Sequence, residues 1–136
     1  MRDIIREYYE AVNDHNWEKL ASTLAEDVVR IGIMSDFTDD IAKGKGPYVE
    51  FCKAAIGSFE NHSMKIERIF YSADRRLACG ETTETLKQPG SEPVVLHCLK
   101  THELNEDGLI TRIDQYRKGS PEGTPISISV NAVMAG

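Results

Sequence analysis

Concentrated positive charge is missing from this sequence. Its 16 basic residues are scattered among 22 acidic ones, giving a net charge of −6 and a pI near 5.2. That balance argues against a nucleic-acid partner, because affinity for a phosphate backbone rests largely on clustered Lys and Arg. Cysteine is scarce as well. Cys52, Cys79 and Cys98 are odd in number, sit in apolar segments and lack C-x-x-C spacing, so neither a disulfide framework nor a zinc site is indicated and reduced thiols are expected. The opening stretch MRDIIREYYEAV carries a charge every few positions, which fits neither a secretory signal nor a membrane span. A cytoplasmic protein with no membrane partner is the expectation. Also absent are a Gly-rich phosphate loop, H-E-x-x-H, G-x-S-x-G and a kinase-like motif set. No cofactor and no metal is therefore expected, and the chain contains no internal repeat or low-complexity tract.

What is present is enough for one core. A chain of 136 residues that is 40% hydrophobic fits a single compact domain. Apolar spacing predicts a first helix burying Ile4, Ile5, Tyr8, Ala11 and Val12, and a second with Trp17, Leu20, Ala21 and Leu24 on one side, separated by NDHN. VVRIGIM reads as a strand and SDFTDDIAKGKG as a polar loop. Pro47 suits the first turn of a third helix, whose buried face would carry Phe51, Ala54, Ala55 and Ile56. HSMKIERIFYS, RLACGETTETLK, VVLHCLKTHEL and LITRIDQYRK then follow as strands, separated by ADR, QPGSEP and NEDG; short turn-forming links imply an antiparallel meander. The expected class is α+β, helices on one face of a curved sheet. SPEGTPISISVNAVMAG is either a further edge strand, here or on a partner subunit, or a disordered tail.

This order, together with LAEDVVRI after the second helix, GKGPYVEF at the third and ELNEDGLITRIDQY at the last turn and strand, resembles the nuclear transport factor 2-like superfamily, SnoaL-like branch. The resemblance covers roughly residues 3–118. It implies a cone-shaped barrel, with three N-terminal helices packed on a strongly curved antiparallel sheet, an apolar pocket for a small hydrophobic molecule, and a homodimer. It assigns residues 1–120 to the domain and 121–136 to a tail. The family includes ketosteroid isomerases, limonene-epoxide hydrolases, polyketide cyclases, dehydratases and non-catalytic binding domains. Tyr8 falls where the isomerases carry a tyrosine that donates to an oxyanion. Their general-base aspartate, however, falls at Gly32 and their protonated aspartate near Lys100. The Arg/Asp/Asp set of the epoxide hydrolases falls at Thr82, Glu84 and Gln115, so only the carboxylate of Glu84 is retained. The last-strand aspartate of the cyclases also falls at Gln115.

Strand phase decides the rest. In ETTETL, Glu84 shares a face with Ala78, Gly80, Thr82 and Leu86, while Glu81 shares one with Cys79, Thr83 and Thr85. The first set is smaller and more apolar, which points Glu84 inward. There its pKa would rise unless a cation compensates, and it could exchange a proton near neutral pH. The alternatives are a Glu84 on the solvated convex face or one paired structurally with Arg30. On the next strand the even-numbered set places His102 inside and His97 outside; a slip of one residue exchanges them. Lys100 reads as a snorkelling edge lysine or a pocket residue. Arg30 would bind an anionic group, hold Glu84 ionised or point out as a surface charge. The expected catalytic set is thus Glu84, His102, Tyr8 and Arg30, and the expected substrate contacts are Trp17, Thr82, Cys98, Lys100, Ile113 and Gln115, with Asp114 and His97 as runners-up. Asp36, Asp39 and Asp40 lack calcium-loop spacing and read as a solvated loop. Asn61, His62 and Ser63 form a glycosylation sequon without a secretory signal. Side chains of this kind support proton transfers: isomerisation, dehydration, ring closure or epoxide opening. A non-catalytic ligand-binding or dimerisation module is the competing expectation, favoured by the broken sets at Thr82, Gly32 and Gln115.

Overall fold

The computed structural model describes residues 2–32 and 40–118. The tail and two of the three loop aspartates, Asp36 and Asp39, lie outside the described residues. Helix α1 spans Ile4–Asp14. Asp3 caps it by accepting the Arg6 amide, and a left-handed His15 (φ 56°) ends it. Its buried stripe is Ile4, Ile5, Tyr8, Tyr9, Ala11 and Val12, each apolar side chain worth roughly 1.5–3 kcal/mol on burial. Helix α2 is short, Trp17–Ser22, capped by Asn16. Strand β1 follows at once, Leu24–Ile31, then β2, Ile41–Lys43, and helix α3, Lys45–Gly57. Strands β3 (Asn61–Tyr71), β4 (Leu77–Lys87), β5 (Val94–Leu104) and β6 (Ile110–Arg117) complete the order.

The sheet runs β2-β1-β6-β5-β4-β3. Strands β3 to β6 form the expected antiparallel meander, but β1 lies parallel to β6, with Arg30 opposite Ile113. The sheet is therefore mixed and curled, with β2 and β3 as edges. Hairpins force antiparallel neighbours, whereas β1 and β6 are joined through most of the chain, so no turn dictates their direction. Register shifts between Ile66 and Arg68 and between Glu103 and Leu104 interrupt the ladders; such bulges bend strands.

Three local expectations change. Leu24 belongs to β1 opposite Ile110 rather than to the second helix. The polar loop contains β2, whose three residues pair with Val29, Arg30 and Ile31; a neighbouring strand, not apolar content, makes it a strand. On α3 the buried residues are Tyr48, Val49 and Cys52, and Phe51 is 41% exposed. The helix lies rotated because Tyr48 reaches the Tyr8 hydroxyl at the core, which a Phe51-centred face would forbid. No helix among the described residues is long and apolar enough to cross a membrane.

Candidate functional site

Between α1, α3 and the inner face of the sheet lies a cavity of about 240 Å³, lined by Tyr8, Val12, Arg30, Tyr48, Phe51, Cys52, Ala55, Ile56, Phe59, His62, Met64, Glu84, Leu86, Lys100 and Gln115. Most of this wall is hydrocarbon or aromatic. The polar members are concentrated and mutually engaged. Wider grooves elsewhere, such as one of about 530 Å³ beside Arg2, Arg75 and Arg76, gather no buried ion pair.

Alternation along β4 turns Ala78, Gly80 and Thr82 inward as buried positions, and Glu84 follows them, its side chain 16% exposed. Glu81 faces out and pairs with Arg68 at 2.8 Å. The Glu84 carboxylate meets the Lys100 ammonium at 2.5 Å through Oε1, and its Oε2 lies 3.9 Å from His62 Nε2. Burial alone would push this carboxyl up, but the charge and hydrogen bond of Lys100 and the neighbouring His62 outweigh it and hold it at about 2. Lys100 is only 3% exposed. It is not an edge lysine, because β5 runs between β4 and β6. Its strand partner is Gly80, so the side chain reaches along β4 to Glu84. The ammonium also contacts Met64 Sδ at 3.6 Å and lies 5.1 Å from the centre of the Tyr9 ring.

His62 is the residue that strand reading passed over. It enters the cavity from β3 with a side chain 2% exposed, and its Nδ1 has no hydrogen-bond partner among the described residues. Met64 and Ile66 share its inward face, but the phase of β3 changes at the register shift between Ile66 and Arg68. Across the same cavity, the Tyr8 and Tyr48 hydroxyls share a hydrogen bond. Burial pushes both phenols above their ordinary value, so they stay neutral donors.

Arg30 does not hold Glu84. Its guanidinium donates to Asp40 Oδ1 at 2.7 Å and to Gln115 Oε1 at 3.4 Å, with the Phe51 ring 4.8 Å away. Asp40 is thus an ion-pair partner rather than part of a solvated loop. Glycine at 32 permits this: a Cβ there would meet an Asp40 carboxylate oxygen at 2.2 Å.

The histidine expected beside Glu84 is elsewhere. His102 faces inward and is 1% exposed, but it does not line the cavity. Its Nε2 is 2.7 Å from the Tyr9 hydroxyl, Nδ1 has no partner among the described residues, and burial followed by the Lys100 charge lowers its pKa to about 3. The Tyr9 hydroxyl fits only because residue 80 is glycine, where a Cβ would sit 2.0 Å from it. Helix α1 thus stands between His102 and the cavity. Of the expected substrate contacts, Lys100 and Gln115 line the wall. Trp17 stacks on His15 with ring centres 5.8 Å apart, and Thr82, Cys98 and Ile113 are buried in the sheet's inner face away from the lining. Asp114 accepts from Arg112 on the outer face at 3.3 Å, and exposed His97 has Nδ1 3.3 Å from the Thr83 hydroxyl.

The sequence profile described as the SnoaL-like domain matches residues 5–113. The chain belongs to the SnoaL-like domain family. Solved structures agree with this SnoaL-like fold. A candidate ketosteroid isomerase from Kribbella flavida is 25% identical, with 92% of this chain and 82% of that one aligned at a TM-score of 0.68. A Mycobacterium tuberculosis protein solved with estradiol-17beta-hemisuccinate is 21% identical over 88% and 93% of the two chains, TM-score 0.72. An epoxide hydrolase from M. tuberculosis, resembling the limonene-epoxide hydrolases, is 20% identical over 85% and 80%, TM-score 0.66. No curated protein matches this SnoaL-like chain.

Proposed function

We propose that this SnoaL-like protein is a cofactor-independent enzyme that moves a proton on a small, largely apolar molecule. The observation that carries the reading is a buried, ionised carboxylate, Glu84, held by Lys100 at 2.5 Å and set beside His62 in an apolar cavity shared with two neutral phenols. A carboxylate held near pKa 2 is a weak base by itself. Its use is to orient His62: facing Nε2, it favours the tautomer with the proton there and leaves the unpartnered Nδ1 as acceptor. The 3.9 Å separation is long for a hydrogen bond, and catalytic contacts commonly tighten when substrate binds. Lys100 fixes Glu84, Glu84 fixes His62, and His62 accepts the proton. Tyr8 and Tyr48 supply a hydroxyl proton to an oxygen on which negative charge develops. Isomerisation, dehydration or ring closure would all use this set. Relatives of the fold described as a candidate ketosteroid isomerase and an epoxide hydrolase support the reaction class, and the family likeness supports a homodimer in the cytoplasm.

Proton transfer can be read without knowing the product. The protein is incubated in heavy water with a panel of cyclic enones and β-keto esters, and loss of acidic C–H signals is followed by proton NMR. Wild type should accelerate washout of at least one probe, and His62→Gln should slow it by about 10²-fold or more. Equal rates in the two proteins reject His62 as the acceptor. The second reading, a non-catalytic binder, is favoured by how fully Lys100 neutralises Glu84; it predicts ligand binding with no exchange from any probe.

A further inference from the structure

His62, Glu84 and Lys100 sit on β3, β4 and β5, and the wall on β1 and β6 is built differently. Arg30 is 12% exposed in its side chain. A guanidinium has five N–H donors, and Arg30 uses one on Asp40 and one, over 3.4 Å, on Gln115. The other three meet no acceptor among the described residues, and neither does the carboxamide NH₂ of Gln115. None of these donors is among the fully buried unpartnered atoms, so they are open to the cavity rather than sealed in the core.

These donors are also held in place. Asp40 grips one side of the guanidinium in the space that Gly32 leaves open, and Phe51 covers its face. Arg30 and Gln115 both line the cavity, so their remaining donors are within reach of a molecule held there. Charge points the same way. Among the lining side chains, Lys100 and Glu84 cancel each other, while Asp40 grips Arg30 without lining the cavity. At this end the wall therefore offers, among the described residues, fixed donors beside a cation, while the unpartnered acceptor His62 Nδ1 belongs to the β3 side. A planar group with two acceptor oxygens matches a guanidinium edge in two parallel hydrogen bonds.

We propose that Arg30 and Gln115 form a carboxylate-binding subsite, so that the cavity takes a small carboxylic acid. Its acid group is clamped by the guanidinium, with the Gln115 NH₂ as an added donor, and its apolar body extends toward His62. An engineered cavity of about 150 Å³ holds benzene, so about 240 Å³ suits an acid the size of a phenylpropionate. This inference rests on the cavity being the reaction site.

The test is calorimetric titration of the full chain at pH 7 with 3-phenylpropionate and with its uncharged amide. Wild type should bind the acid at least about tenfold more tightly than the amide, the scale of a charge-assisted pair. In Arg30→Met the acid should fall to the level of the amide while amide affinity stays within about twofold. Gln115→Leu, which keeps the Arg30–Asp40 pair, should weaken the acid alone by about three- to tenfold, and it carries the test should Arg30→Met not fold. Equal binding of acid and amide to wild type, or an acid affinity indifferent to both substitutions, overturns the subsite and leaves the proton-transfer reading standing. Binding of neither compound also overturns the subsite, and the proton-transfer reading is then decided by the exchange experiment alone.

Discussion

Lys100 and His102 stand two residues apart on the same face of β5, at 3% and 1% exposure, yet they meet opposite fates. Lys100 is matched with the Glu84 carboxylate at 2.5 Å. His102 is given a phenol at 2.7 Å and no counter-ion, and its pKa falls to about 3. Depth is the same; the neighbour differs. A buried group stays charged where the fold supplies the opposite charge, and gives up its proton where the fold supplies only a neutral partner. The cavity end of the sheet is thus ionic, and the end behind α1 is polar but uncharged.

The strongest way to break this contrast is to remove the counter-ion. Glu84→Gln leaves Lys100 buried without its counter-ion and should cost about 3–5 kcal/mol in urea denaturation, whereas adding Lys100→Met to it should recover most of that loss. Additive losses would show that the pair does not act as a unit. A smaller effect sharpens the neutral end. Because His102 has its pKa lowered from 6.5 to about 3, the unfolded chain takes up a proton below 6.5 that the folded chain refuses. Stability should therefore fall by about 1.4 kcal/mol per pH unit as pH drops from 6.5 toward 3. Glu84, lowered from 4.5 to about 2, contributes stability above 4.5 that is lost as pH falls toward 2. His102→Gln should flatten the dependence between pH 6.5 and 4.5 and leave the acid limb; parallel curves for the two proteins would refute the assignment. The smallest effect lies on the outside of β4. Glu81→Gln loses only the exposed pair with Arg68, and the denaturation midpoint should not move.

Strand period made much of this readable beforehand. The inward set Ala78, Gly80, Thr82 and Glu84, the inward His102 and the outward His97 all follow from alternation on regular ladders. Failures occur where the ladder is irregular or a partner is distant. On β3 the inward residues are His62, Met64 and Ile66, then Ile69 and Tyr71; the phase changes at the register shift between Ile66 and Arg68, so no single alternation marks His62 as internal. The Lys100–Glu84 pair is equally hidden, because Lys100 lies opposite Gly80 and Glu84 opposite Leu96, and only a long side chain lying along the sheet brings them together. Of the alternatives open for Arg30 the pairing with Glu84 does not form, and its actual partner, Asp40, approaches over a glycine, a close contact with no sequence period. On α3 apolar spacing favoured Phe51, while the polar tips of Tyr48 and Tyr8 decided the rotation.

The parallel seam between β1 and β6 also bears on how the molecule is made. Leu24–Ile31 leaves the ribosome long before Ile110–Arg117, and the Arg30 to Gln115 contact spans 85 residues. Until β6 has been made, the early strand has, among the described strands, only the three-residue β2 beside it, and its open side waits for Ile110–Arg117 to arrive. The half of the cavity that carries Arg30 is therefore completed only after the β3–β5 half already has its strands.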